Sequence, residues 1–134
     1  KYAHGEGVPQ NDAEAVKWYS KAAEQGYASA QANLAVMYFS GTGMPRDYIE
    51  AAKWYHKAAE QSETAAYYAL GVIYEHGAGV TQDYVQACMW FNVAMANGDE
   101  DAIKRRDIVA QDMTPTQLAE AQRLAREWLE EHGE

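Results

Sequence analysis

Cysteine is almost absent from these 134 residues: Cys88 stands alone, so neither an intrachain disulfide nor a multi-cysteine zinc site can form. Long apolar runs are absent too. Stretches such as Leu34 to Phe39 fall far short of the roughly 20 residues that a membrane-spanning helix needs. Basic charge is scarce, with 11 Lys and Arg against 20 Asp and Glu, a net charge of −9. Binding to nucleic acid calls for a basic patch that displaces counterions. The one basic cluster, Lys104-Arg105-Arg106, is flanked by Glu100, Asp101 and Asp107 and reads as a solvated helix face. The composition thus argues against a nucleic-acid partner and against membrane insertion.

What the chain has in plenty is itself. Gly5 and Gly7 return at a fixed offset of 36 residues as Gly41 and Gly43, then as Gly77 and Gly79; Trp18 returns as Trp54 and Trp90. Ala15, Ala51 and Ala87 form another column, as do Tyr2, Tyr38 and Tyr74. Self-similarity at this length marks a solenoid, a stack of units that bury their apolar faces on one another. Lys1-Tyr2-Ala3-His4 aligns with the end of such a unit, so the start reads as cut from a longer protein. With no Met at position 1 and no visible signal peptide, the compartment, cytoplasm or periplasm, stays open.

Within each unit the apolar spacing is helical. Ala15, Trp18, Tyr19 and Ala22 fall at i, i+3, i+4 and i+7, and the pattern recurs at Ala51, Trp54, Tyr55, Ala58 and at Ala87, Trp90, Phe91, Ala94. Asn11-x-x-Glu14, Asp47-x-x-Glu50 and Asp83-x-x-Gln86 read as capping boxes, and Gly26, Ser62 and Gly98 as stops. First helices are expected over about 11–25, 47–61 and 83–97, and second helices over about 28–40, 63–76 and 99–112. Small residues at Ala35 and Gly71 allow close helix approach, and Pro9 and Pro45 precede the caps, where no backbone donor is needed. The third unit degenerates: Arg106 and Asp107 stand where Leu34/Leu70 and Ala35/Gly71 stood, and Ala110 replaces the tyrosine. Thr114-Pro115-Thr116-Gln117 then opens a last helix, whose apolar face (Leu118, Ala121, Ala125, Trp128) is expected to close the open end of the third unit.

The expected architecture is an all-α solenoid, an α-α superhelix of three 36-residue helical-hairpin repeats. Its parts are the tail of a preceding unit and a loop (1–10), repeats at 11–46, 47–82 and 83–113, and a capping helix at 114–134. Columnar aromatics (Trp18, Trp54, Trp90, Tyr38, Tyr74) are assigned to the core.

Signals for chemistry are weak. The G-x-G loops lack the third glycine of a dinucleotide fingerprint and follow no strand. His4 and His76 occupy one loop position two units apart, too distant to share a metal. His56 has no carboxylate or nucleophile set by spacing, and Cys88 reads as a small apolar helix residue. No catalytic residue, metal ligand or cofactor emerges.

The segments AVKWYSKAAEQG, AAKWYHKAAEQS and QACMWFNVAMANG, each preceded by G-x-G-[VM] or its close copy, resemble the Sel-one-like repeat family, a branch of the tetratricopeptide class. The resemblance covers residues 1–113. It implies antiparallel helix pairs stacked into a right-handed superhelix, and a bacterial adaptor that holds a protein or peptide partner on a concave face. The cysteine pairs that staple some bacterial members are missing. In such stacks the first helices line the groove, which places Val16, Ala52, Cys88, then Ser20, His56, Asn92, then Ala23, Ala59, Met95 along it. Tyr19, Tyr55, Phe91, Glu24 and Glu60 fall at its edge, and the acidic balance favours a neutral or basic ligand. Two alternatives stand beside this reading. One is a cell-envelope hydrolase, which turnover of cell-wall substrates would reveal. The other is a structural segment that assembles, possible self-association through the N-terminal end included.

Overall fold

The computed structural model describes residues 10–132. They form seven α-helices and no strand: α1 (Gln10–Glu24), α2 (Ala28–Ser40), α3 (Tyr48–Glu60), α4 (Ala65–His76), α5 (Tyr84–Ala96), α6 (Glu100–Ala110) and α7 (Pro115–Glu131). The architecture is the all-α solenoid: α2 lies between α1 and α3, and α4 between α3 and α5. Tyr2, His4, Gly5, Gly7 and Pro9, read above as repeat and loop positions, lie outside the described residues.

Local chemistry sets the helix ends. Asp47 accepts the amide of Glu50 at 3.1 Å and Asp83 that of Gln86 at 3.0 Å, each holding a first-turn donor that would otherwise lack a partner. The full reciprocal box forms at Thr114 and Gln117, with bonds of 3.1 and 2.9 Å. At Asp47 the box is half made, because the Glu50 carboxylate turns instead to Lys53 at 3.1 Å. Helix α1 begins at Gln10, so Asn11 falls inside its first turn. Asp99, unforeseen in that role, caps α6 through the amides of Asp101 and Ala102. At the turn after α3, Ser62 takes a positive φ of 64°, where Gly26 and Gly98 in the neighbouring units have 98° and 90°.

Close packing explains the small residues. A methyl group on Gly71 would overlap the ring of Phe91, so α4 and α5 approach as only a bare backbone permits. The tryptophan column departs from the expectation of a uniform core. Trp90 is 3% exposed, Trp54 half-buried and Trp18 67% exposed. The reason is that each tryptophan packs on the second helix of the unit before it. Trp54 rests on the Ala30–Leu34 cluster of α2, and Trp90 stacks on Tyr67 of α4 at 6.1 Å. No such helix precedes α1 among the described residues.

The last helix also goes elsewhere than expected. α7 does not take the next place after α6; it lies on α5. Its Trp128 meets Trp90 edge-on at 5.3 Å and Tyr67 at 5.1 Å. Two pairs of substitutions account for this. On α6, Asp107 and Arg106 occupy the positions of Gly71 and Leu70, so the close, apolar seat that α4 offers an incoming aromatic is gone. On α5, Met89 and Val93 replace the exposed pairs Lys17/Lys53 and Lys21/Lys57, and both are buried, Val93 completely. The flanking helices of α5 correspond to those of α3, which leave its lysines in water; the additional cover is α7. Apart from Gln86 and Asn92, α5 is accordingly apolar round most of its circumference, the mark of an enclosed helix.

Candidate functional site

The residues expected to line a groove divide sharply. Ala23, Ala52, Ala59 and Cys88 are between 1% and 4% exposed, and Tyr55 and Phe91 are enclosed with them. These six are packed into the core. Val16, Tyr19, Ser20, His56, Asn92 and Met95 are half-buried, while Glu24 and Glu60 are exposed. Successive helix residues step round the axis by roughly 100°. The flank one residue past the core stripe is therefore still packed, and the open arc lies further round, at Lys17, Lys21, Lys53 and Lys57.

The polar column is partly engaged inside the array. His56 Nε2 and the Tyr74 hydroxyl share a hydrogen bond of 3.0 Å, and the His56 ring stands edge-on to Tyr74 and Trp90, each at 5.9 Å. Burial pulls the His56 pKa below its ordinary value, against the opposing charge of Glu60. Asn92 accepts from Arg106 Nη1 at 3.2 Å and points its amide at Cys88 Sγ at 3.8 Å. Ser20 opens onto a recess of about 540 Å³ on α1 that also holds Trp18, Lys17, Lys21 and Glu24.

The basic cluster is not the solvated face its composition promised. Arg105 reaches from α6 to Glu75 on α4 at 2.6 Å, and Arg106 holds Asn92 and Asp107. Cys88 is no poised nucleophile: burial raises its thiol pKa, outweighing the pull of Arg106 and Asn92. Among the described residues no group of three or more His, Cys, Asp and Glu is placed to hold a metal ion. No described helix is long and apolar enough to cross a membrane.

The open arc of α1 and α3 carries both signs. Lys53 is paired with Glu50, Lys57 lies 5.6 Å from the Trp54 ring, and Glu60 is held at 3.0 Å by His132, the residue that follows α7. Across α5 the same arc is occupied by α7. Sequence reasoning missed this division, although the change from Lys to Met89 and Val93 in two columns was a visible signal.

The Sel1 repeat model matches residues 2–27, 28–63 and 64–99. The chain belongs to the Sel1-repeat family. The Sel1 units that match in full run from second helix to first, α2 with α3 and α4 with α5, and the degenerate α6 and the added α7 lie beyond them. Among solved Sel1-type structures, one is a protective antigen present in uropathogenic Escherichia coli strains, described as displaying an SLR fold. It is 38% identical, with a TM-score of 0.90 over 95% of this chain and 27% of its own. Another is a Sel1 repeat protein from Oxalobacter formigenes, 33% identical, with a TM-score of 0.70 over 89% of this chain and 50% of its own. No curated protein matches the sequence. Sel1 repeats are commonly protein–protein interaction modules.

Proposed function

We propose that the chain is a protein-binding module that receives a peptide segment of its partner on the open arc of α1 and α3, beside α7. One observation carries this reading: the equivalent arc of α5 already holds an amphipathic helix, α7, by its Ala121, Ala125 and Trp128 side. Among the described residues the same surface continues uncovered over the two preceding units, where Trp18, Trp54, Ser20 and the lysine pairs flank it. Mixed charge there suits a segment with both polar and apolar side chains, a wider class than the neutral or basic ligand expected from net charge. Binding is non-catalytic in this reading.

The test uses a photoreactive benzoylphenylalanine placed at Lys53 or Lys57, with Val36 on α2, also exposed, as the control. A discrete partner should cross-link from positions 53 and 57 in a lysate of the source cells and not from 36. Lys53→Glu with Lys57→Glu should weaken its capture at least tenfold with an unchanged melt. Cross-links confined to position 36 would refute the assignment.

A further inference from the structure

On the opposite side of the array, between α2 and α4, a recess of about 210 Å³ is lined by Phe39, Tyr55, Tyr68, Ala69, Val72 and Ile73. Its walls are wholly apolar. The next junction, one repeat further on, shows what the chain itself puts there. Position 69 becomes Arg105 and position 39 becomes Glu75, and these two close on each other at 2.6 Å across α6 and α4. Between α2 and α4, alanine replaces that long side chain and phenylalanine replaces its carboxylate partner. The result is a gap of side-chain size from which the charged filler has been removed. An apolar cavity of about 150 Å³ suffices to hold a benzene ring, so this one takes one ring or one branched aliphatic group.

A charge stands beyond Phe39, one wall of the recess, with Tyr48 between them. Phe39 packs on Tyr48 with ring centroids 4.9 Å apart, and Arg46 lies over the Tyr48 ring at 5.6 Å while donating from Nη1 to its hydroxyl at 2.9 Å. Among the described residues Arg46 has no carboxylate partner. We infer that this recess is a second docking point, independent of the arc on α1 and α3, for one uncharged aromatic or branched side chain of a protein partner that carries a carboxylate beside it. Burial of the ring supplies the attachment, and the Arg46 guanidinium selects the neighbour.

The probe is N-acetyl-aspartyl-phenylalanine amide, titrated into the full chain while methyl signals are followed by NMR. Saturable shifts are expected at Ala69, Val72 and Ile73. The lysyl counterpart should bind about threefold more weakly, the scale of one exposed ion pair, and Arg46→Ala should abolish that preference. Ala69→Leu, which fills the recess, should abolish the shifts at Val72 and Ile73. Benzene as a second probe needs no variant and should move the same methyl signals. If neither the peptide nor benzene moves them in the unaltered chain, the recess is not a docking point. Undiminished binding to a folded Ala69→Leu chain leads to the same conclusion, and equal affinity for both peptides overturns the carboxylate part.

Discussion

Helices α3 and α5 begin from one motif and reach different states. Both are capped by an aspartate, and both present Ala, Trp, an aromatic and Ala to the core. Yet α3 keeps one arc in water through Lys53 and Lys57, whereas α5 turns Met89 and Val93 to the same arc and is enclosed by α7. Two side chains per helix decide between an open surface and a sealed one. The comparison shows how a repeat array sets its own end: apolar residues appear where a helix is to be received, and charge appears on α6 where none is.

Making α5 resemble α3 breaks the comparison most strongly. Met89→Lys with Val93→Lys places two ammonium groups in a dry interface, where an unpaired charge is not tolerated. The expected outcome is release of α7, read as rapid proteolytic cleavage after Met113 and a lower melting temperature, with helical circular dichroism retained for the remaining units. An α7 that stays protected would show that it is held by contacts other than these.

The tryptophan column grades the same difference. Trp90→Ala should cost about 3–5 kcal/mol, as large-to-small changes at buried aromatics do. Trp18→Ala should stay within about 0.5 kcal/mol, and Trp54→Ala should fall between, all measured by urea unfolding. Equal costs at the three positions would contradict the dependence on the preceding unit.

Gly71→Ala tests the close approach of α4 to α5. Overpacking against Phe91 should cost about 1–3 kcal/mol, and Phe91→Leu in the same chain should recover part of it. Additive costs would remove Phe91 as the cause.

The smallest effect is the pH dependence of the α7 latch. His132 stacks on Trp128 at 3.7 Å and bonds Glu60 and the Trp128 carbonyl. Burial lowers its pKa, but the bonds to Glu60 and Trp128 and the charges of Glu60 and Glu131 outweigh it, and the net shift is upward from 6.5. A group with a raised folded pKa adds stability below its unfolded value and loses it as pH rises through the folded one. His56, whose pKa is lowered, acts in the other direction, losing stability as pH falls below 6.5. His132→Gln should therefore remove about 0.5 kcal/mol more at pH 6 than at pH 9, in parallel urea melts. A loss that is the same at both pH values would assign His132 a packing role alone.

Much of the fold was legible because periodicity is local. A 36-residue offset, a 3.6-residue stripe and Asp47, Asp83 and Thr114 before their helices require only neighbours along the chain, and all seven helices follow from them. The candidate face was less legible. Its columns were set one step from the core stripe, but α3 is packed on both sides, by α2 and α4, so its buried arc is wide enough to take in Ala52 and Ala59. Alanine in sequence looks the same whether it lets a helix approach or merely lines a surface.

The repeat, its helices and their caps were determined by the sequence itself, since each depends on backbone hydrogen bonds and on apolar spacing within some 36 residues. Only the tertiary structure decided where α7 lies, how far each tryptophan is buried and which arc of the first helices stays open. Those outcomes depend on which surfaces compete for one helix: Asp107 refuses it on α6, Met89 and Val93 accept it on α5, and no stretch of chain read alone contains both sides of that contest.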